Sequence, residues 1–323
     1  MVKILRIRSV TGIATIQDIG RYGFRNIGVP VAGALDRISY VYSNVLIGNN
    51  PFSAVIEVIG VFTAEVLNDT IICVTGGAEK IYVNGIEHNT WKPVYVKKGS
   101  VITIKPGLSP LNYLSMYSGI KCPMVLGSRS TYLRGKIGCY PEGLNPGLIL
   151  ESYLLPEPSI WYRVKDLEPP FNPFIQYIPL EDQTLELRAT PGVHSDLLWD
   201  LDQLFKNYYY VSHESDRLGY RLEGSPLKSA QELGRLPSIP VDRGYVQVPP
   251  NGKPIVLMSD SQTMGGYAVA LHVLQPDIDR LAHCQPGYRV LFKDITYREA
   301  EDIMSDYLQK IQEPIVLLGR GVF

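Results

Sequence analysis

Residues 94–107 read VYVKKGSVITIKPG, a stretch of valine, isoleucine, threonine and tyrosine broken by glycine and closed by proline. Branched and aromatic side chains pack well on a pleated surface, whereas Gly and Pro end a strand or turn it. The same grammar recurs in TIICVTGG (70–77), IPVDRGYVQVPP (239–250) and YRVLFK (288–293), with 29 glycines and 24 prolines punctuating the chain. The sequence therefore predicts a mainly β protein with a few packing helices.

Three segments read as helix. In residues 36–49 Ile38, Val41, Tyr42, Val45 and Leu46 recur at helical spacing, with Asp36 as cap and Gly48 as stop. Residues 194–205 offer a similar face of Leu197, Leu198, Leu201, Leu204 and Phe205 behind Ser195. Residues 296–311 open with a capping box from Thr296 to Glu299 and align Ile303, Met304, Tyr307, Leu308 and Ile311.

The 323 residues are 45% hydrophobic, enough to bury a sizeable core, and carry 31 basic and 32 acidic side chains for a net charge of −1. With no long run of either sign, neither nucleic acid nor an anionic membrane surface is an expected partner. Lys3, Arg6 and Arg8 interrupt the apolar N-terminal stretch, which does not suit a signal peptide, and a cytoplasmic location is expected. Cys73, Cys122, Cys139 and Cys284 have neither CxxC nor zinc-like spacing and are expected as buried or idle thiols, with no metal site.

RYGFRNIGVP (21–30) returns as RLGYRLEGSP (217–226), and GSVITIK (99–105) is echoed by GYRVLFK (287–293), at offsets of 196 and 188 residues. Two echoes in the same order suggest a duplicated β unit, the alternative being coincidence between Gly-rich loops. Two domains follow: residues 1–183, a β lobe with a middle segment whose LEPPFNPF (167–174) suits a linker, and residues 184–323, a second β lobe with a terminal helix.

Four polar clusters beside glycines are the candidate chemistry. The first has Gln17, Asp18, Arg21, Arg25 and Asp36; the second Ser128, Arg129, Ser130, Arg134 and Lys136. The third has His213, Asp216, Arg217, Tyr220 and Arg221; the fourth Asp260, Gln262, Thr263, Gly265 and Gly266. Arginines among hydroxyls suit a small anionic or amide ligand, since the guanidinium donates two parallel hydrogen bonds to a planar acceptor. Asp216 and Asp260 are the expected acid or base groups, with His213 a weaker candidate. The competing reading of Asp18, Asp216 and Asp260 is that they brace turns. If the two RxG-aromatic-R loops are equivalent, Arg21 and Arg217 would face one shared cleft; otherwise both loops are structural, with Gly23 and Gly219 supplying positive φ.

IQDIGRYGFRNIGVPVAGALD (16–36), GSRSTYLRGKIG (127–138), ESDRLGYRLEG (214–224), VQVPPNGKPIVLMSDSQTMGGY (246–267) and RLAHCQPGYRVLFK (280–293) together resemble the biotin-dependent carboxyltransferase or allophanate hydrolase subunit 2 family. Departures include PGVH at 191–194 and TMGGYA at 263–268. The resemblance implies two cyclophilin-like β-barrel lobes. It also implies the role of C component in an ATP-dependent, multi-subunit 5-oxoprolinase, with a KipI-like B component and a LamB/YcsF-like A component as partners and activity only in their company. The alternatives it carries are a urea- or allophanate-type carboxyltransferase subunit, the only case in which biotin is a cofactor, and a regulator of a kinase inhibitor. ATP is expected for the complex, with no ATP motif in this chain. Gln17, Asp18, Arg21, Arg129, Ser130, Arg217, Tyr220, Arg221, Gln262, Thr263, Gly265 and Gly266 are the implied substrate-binding positions, with Asp216 and Asp260 catalytic.

Overall fold

The computed structural model describes residues 2–176 and 184–319, and the chain divides into two compact units. The first comprises Met1–Arg21, Ala32–Ile178 and Gln309–Phe323; the second comprises Tyr22–Val31 and Pro179–Leu308. The segment Tyr22–Val31 thus belongs with the C-terminal unit, an exchange the division at residue 183 does not contain. That boundary itself adjoins residues 177–183, which lie outside the described residues.

The first unit contains β1 (Val2–Gln17), β2 (Val55–Val66), β3 (Thr70–Gly76), β4 (Lys80–Val83), β5 (Ile86–Asn89), β6 (Pro93–Val96), β7 (Val101–Ile104), β8 (Leu111–Met116) and β9 (Ile149–Ser152). They form one antiparallel sheet, β5-β4-β7-β2-β8-β3-β6, with β1 pairing both β2 and β9. The opening stretch 94–107 spans β6 and β7, which lie in different parts of that order. The long β1 and β2 cross at Gly12 and Gly60, register partners at positive φ. A Cβ on either glycine would fall 2.2 Å from a backbone oxygen of the other strand, so this approach is closed to any side chain. Ile4, Ile16, Ile56, Phe62, Ile72 and Leu114 anchor the core. The helix Arg37–Val45 is buried along nearly all its length, and Asp36 caps it by accepting from the Ser39 amide at 3.1 Å.

The second unit contains β10 (Leu185–Pro191), β11 (Tyr209–Val211), β12 (Gly219–Glu223), β13 (Ile239–Pro240), β14 (Tyr245–Val248), β15 (Ile255–Leu257), β16 (Met264–Gly265), β17 (Ala268–Val273) and β18 (Arg289–Asp294). Seven of them close a barrel, β10-β17-β14-β15-β12-β11-β18, in which only the β10–β18 pairing is parallel. The remaining two, β13 and β16, make a separate short pair. Leu187, Leu222, Val246, Val256, Leu271 and Phe292 are almost fully buried. The expected mainly β, two-barrel architecture is what the chain forms, with closed or near-closed sheets in both units.

The terminal helix runs over Tyr297–Gly319 and has the expected capping box: the Thr296 amide donates to Glu299 at 2.8 Å and the Glu299 amide to the Thr296 hydroxyl at 3.2 Å. Among the described residues, no helix is long and apolar enough to cross a membrane.

Four expectations are corrected. The helix over 194–205 is instead a 3-10 turn at Ser195–Leu197 and a short helix at Gln203–Lys206, with Leu198 extended between them. LEPPFNPF is no free linker, because Phe171 packs edge-on against Tyr42 and Trp91, and Glu168 pairs with Lys92 at 2.5 Å. The cysteines divide: Cys122 and Cys139 form a disulfide, while Cys73 and Cys284 are buried thiols whose burial pushes their ionisation far above the ordinary range. Of the two sequence echoes, Gly99 and Gly287 occupy the same left-handed turn before β7 and β18, but the decapeptides differ. Residues 21–30 form a loop with a 3-10 turn at Arg25–Ile27, whereas residues 217–226 contain strand β12. Gly23 has positive φ and Gly219 does not.

Candidate functional site

In the first unit, β1 delivers Gln17 and Asp18 to the loop 122–139, more than a hundred residues away in sequence. The Asp18 carboxylate accepts from Ser128 Oγ at 2.5 Å, Ser130 Oγ at 2.6 Å, the Arg129 amide at 2.7 Å and the Gly20 amide at 2.9 Å. Its own amide donates to Ser130 Oγ at 2.9 Å. Gln17 donates to the Thr131 carbonyl at 3.0 Å, and Arg21, 1% exposed, donates to the Ser130 carbonyl. The Cys122–Cys139 disulfide ties the ends of this loop. Gln17, Asp18, Arg21, Arg129 and Ser130 therefore do converge, but Asp18 organises the loop, its Oδ1 taking three donors and its Oδ2 the Arg129 amide. Arg129 lies partly exposed, donating through Nε to the Cys122 carbonyl at 3.0 Å and through Nη2 to Tyr153 Oη at 2.9 Å.

In the second unit, Arg217 grips Asp260 through two parallel hydrogen bonds of 2.9 Å, both side chains being buried. The Asp260 amide also donates to the Arg217 carbonyl at 2.8 Å, so the start of β12 and the 258–267 loop are locked together. Asp216 is exposed and accepts from the amides of Leu218 and Gly219 at 2.8 and 3.3 Å, the turn-bracing role. Tyr220 donates to the Ala282 carbonyl at 3.0 Å, and Arg221 is exposed beside Glu214. His213 is exposed. Arg21 and Arg217 each serve as a brace inside their own unit rather than as an open anion fork.

The 262–266 stretch has a different character. Gln262 is exposed and donates from Nε2 to Gln247 Oε1 at 2.9 Å. Gly265 pairs with Ile239, and Gly266 accepts from the Leu236 amide at 2.8 Å. The segment 236–242 beneath is held in turn by Arg25, which donates to the Val241 carbonyl and pairs with Asp242 at 3.3 Å. Thr263 is buried and Met264 exposed. Gln262, Gly265 and Gly266 thus form an accessible amide-and-glycine turn laid over β14.

Several polar groups carried no recognisable signal in the sequence. Asp279 accepts from Arg243 at 2.6 Å and from Tyr307 Oη at 2.6 Å, docking the terminal helix. Glu57 accepts from Tyr113 Oη at 2.8 Å and from the Leu35 amide at 2.9 Å in the first unit. Burial, with Glu57 and Asp36 nearby, holds the Tyr113 phenol well above its usual range. Gln247 could have been found from a lone carboxamide between the valines of YVQV.

The chain matches the family described as "Carboxyltransferase domain, subdomain A and B" over residues 27–294. It is 32% identical to the C component of 5-oxoprolinase from Haemophilus influenzae across 97% of this chain and 98% of that one. To the protein of the same name in Escherichia coli it is 33% identical, across 95% of each. Among solved structures, Kluyveromyces lactis urea carboxylase superposes with a TM-score of 0.82 at 25% identity, covering 96% of this chain and 29% of that one. This protein belongs to the carboxyltransferase subdomain A and B family.

Proposed function

We propose that the chain is the C component of an ATP-dependent 5-oxoprolinase, acting with relatives of the A and B components to open the lactam ring of 5-oxoproline to glutamate. The observation that carries this reading is the end-to-end likeness to two proteins named as that component of 5-oxoprolinase, whose lengths this chain nearly matches. The substrate is a cyclic amide bearing a carboxylate, and its recognition calls for N–H donors against two kinds of oxygen. Within the second unit, the turn of Gln262, Gly265 and Gly266 supplies an accessible carboxamide and open backbone, and Arg221 an exposed guanidinium. Asp260, Asp216 and Arg217 hold these surfaces in shape. ATP is a substrate of the complex, and its use is consistent with a cytoplasmic enzyme.

A second reading, carboxyl transfer, is supported by the likeness to urea carboxylase. Biotin would enter on another chain, and its ureido carbonyl is an oxygen acceptor of the same class as a lactam. The task of this chain's donors is then unchanged.

The test is glutamate release from 5-oxoproline and ATP by the chain alone and mixed with its A and B partners, with a parallel arm supplying urea, bicarbonate and a biotinylated carrier. Release only in the mixture supports the oxoprolinase; carboxylation of urea without glutamate release replaces it with the second reading.

A further inference from the structure

Strand β14 turns Val246 and Val248 to one face and Tyr245 and Gln247 to the other, following the alternation of a pleated strand. On that second face Gln247 is the register partner of Ile255 and Val269, and an apolar cluster of Val241, Leu257 and Val269 with Ile239, Tyr245 and Ile255 surrounds this part of the barrel. A carboxamide is an unusual choice there. Its side chain is 1% exposed, and among the described residues its Nε2 has no hydrogen-bond partner. The other half of the amide is fixed, since Oε1 accepts from Gln262 at 2.9 Å. That contact sets the plane of the group and directs the unused N–H donor toward the glycine turn: a Cβ built on Gly265 would lie 2.4 Å from Nε2. Only bare backbone therefore stands between this donor and the half-buried Gly265–Gly266 corner.

A buried donor left without an acceptor is destabilising, and an apolar residue of similar shape would suit this face better. Groups that lower stability while lying next to an accessible turn are candidates for ligand contact.

We propose that Gln247 is a substrate-binding residue whose Nε2 donates a hydrogen bond to a carbonyl or carboxylate oxygen of the ligand, with Gln262 holding the amide in the donating orientation. Gly265 is then required because any side chain there would occupy the approach to Nε2. This assignment rests on the amide-substrate reading above. It applies equally to a lactam oxygen and to a urea or ureido oxygen.

The experiment uses the reconstituted complex with wild-type chain, Gln247→Leu and Gln247→Glu, measuring KM and kcat for 5-oxoproline and, in a second arm, for urea. Thermal unfolding of each purified chain is measured alongside. Leucine removes the unsatisfied donor while Gln262, being exposed, turns to water. The expected result is an unfolding temperature equal to or above wild type, with KM raised about tenfold or more, as for loss of one hydrogen bond to a charged or strongly polar oxygen. Glutamate keeps the acceptor for Gln262 but offers no donor, and should raise KM as much. The arm in which KM moves identifies the oxygen source. An unchanged KM in both variants overturns the proposal and leaves Nε2 to an ordered water. If the wild-type complex turns over neither substrate, the functional reading fails, and unfolding bears on the inference alone: a lowered temperature for Gln247→Leu makes the amide structural and overturns it, whereas an equal or raised one supports a donor that is not kept for the fold.

Discussion

Arg217 and Asp260 meet through two parallel 2.9 Å hydrogen bonds in the interior of the C-terminal barrel unit. Removing one partner of such a pair strands the other charge away from water, which costs about 3–5 kcal/mol. Arg217→Ala is therefore expected to lose activity through the fold, seen as a lower urea midpoint of the isolated chain. Arg217→Lys cannot reproduce the planar fork and should fall between the two. An unchanged midpoint for Arg217→Ala, with activity gone, would return Arg217 to the substrate.

Asp18 satisfies four donors on or beside the 122–139 loop, and each stranded buried donor costs about 1–3 kcal/mol. Asp18→Ala should destabilise the first unit by about 3 kcal/mol or more, with Asp18→Asn milder. Equilibrium urea unfolding reads this directly.

The Cys122–Cys139 bond closes a loop with a sequence separation of 17 residues. On chain-entropy grounds it contributes about 3 kcal/mol. Reductant should lower the unfolding midpoint of wild type and have no effect on the Cys122→Ser/Cys139→Ser double variant. Equal sensitivity of the two would exclude the bond from the native protein in solution.

His272, in β17 with its ring against Tyr245, has its pKa lowered by desolvation, with the nearby Asp242 pulling weakly the other way. Its folded pKa then lies below the unfolded value of about 6.5, so as pH falls the unfolded chain takes up the proton first. Stability is present at neutral pH and is lost as pH falls through about 6.5 toward the folded pKa. Urea midpoints at about pH 7 and about pH 5.5 should diverge for wild type and converge for His272→Phe.

The strands were legible because Gly, Pro and branched residues mark them locally, and the terminal helix because Thr296 and Glu299 cap each other within one turn. Residues 194–205 misled because their leucine spacing is overridden from outside: buried Asp200 accepts from the Lys228 amide at 2.7 Å and from Ser229 Oγ, capping the helix Lys228–Leu233 instead of sitting in one. Phe171 left the linker for an aromatic pocket no local signal announces. The clusters around Asp18 in the first unit and Asp260 in the second were visible as polar motifs beside glycines, yet their roles were not, since Asp18–Ser130 and Arg217–Asp260 are pairings between distant segments. Gln247 left a signal, a lone carboxamide between the valines of YVQV, but a polar residue in a strand ordinarily faces water and the spacing alone does not show that this one is buried.

The parallel pairing of β10 with β18 has a kinetic corollary. The two strands that complete the C-terminal barrel start 104 residues apart in sequence. The pairing that seals the cylinder is thus among its least local contacts, so the loop-closure entropy must be met before the last hydrogen-bond ladder can form. During synthesis β10, already made, waits with an unpaired edge until residues 289–294 emerge. A nascent chain halted before them would display two strand edges to its neighbours.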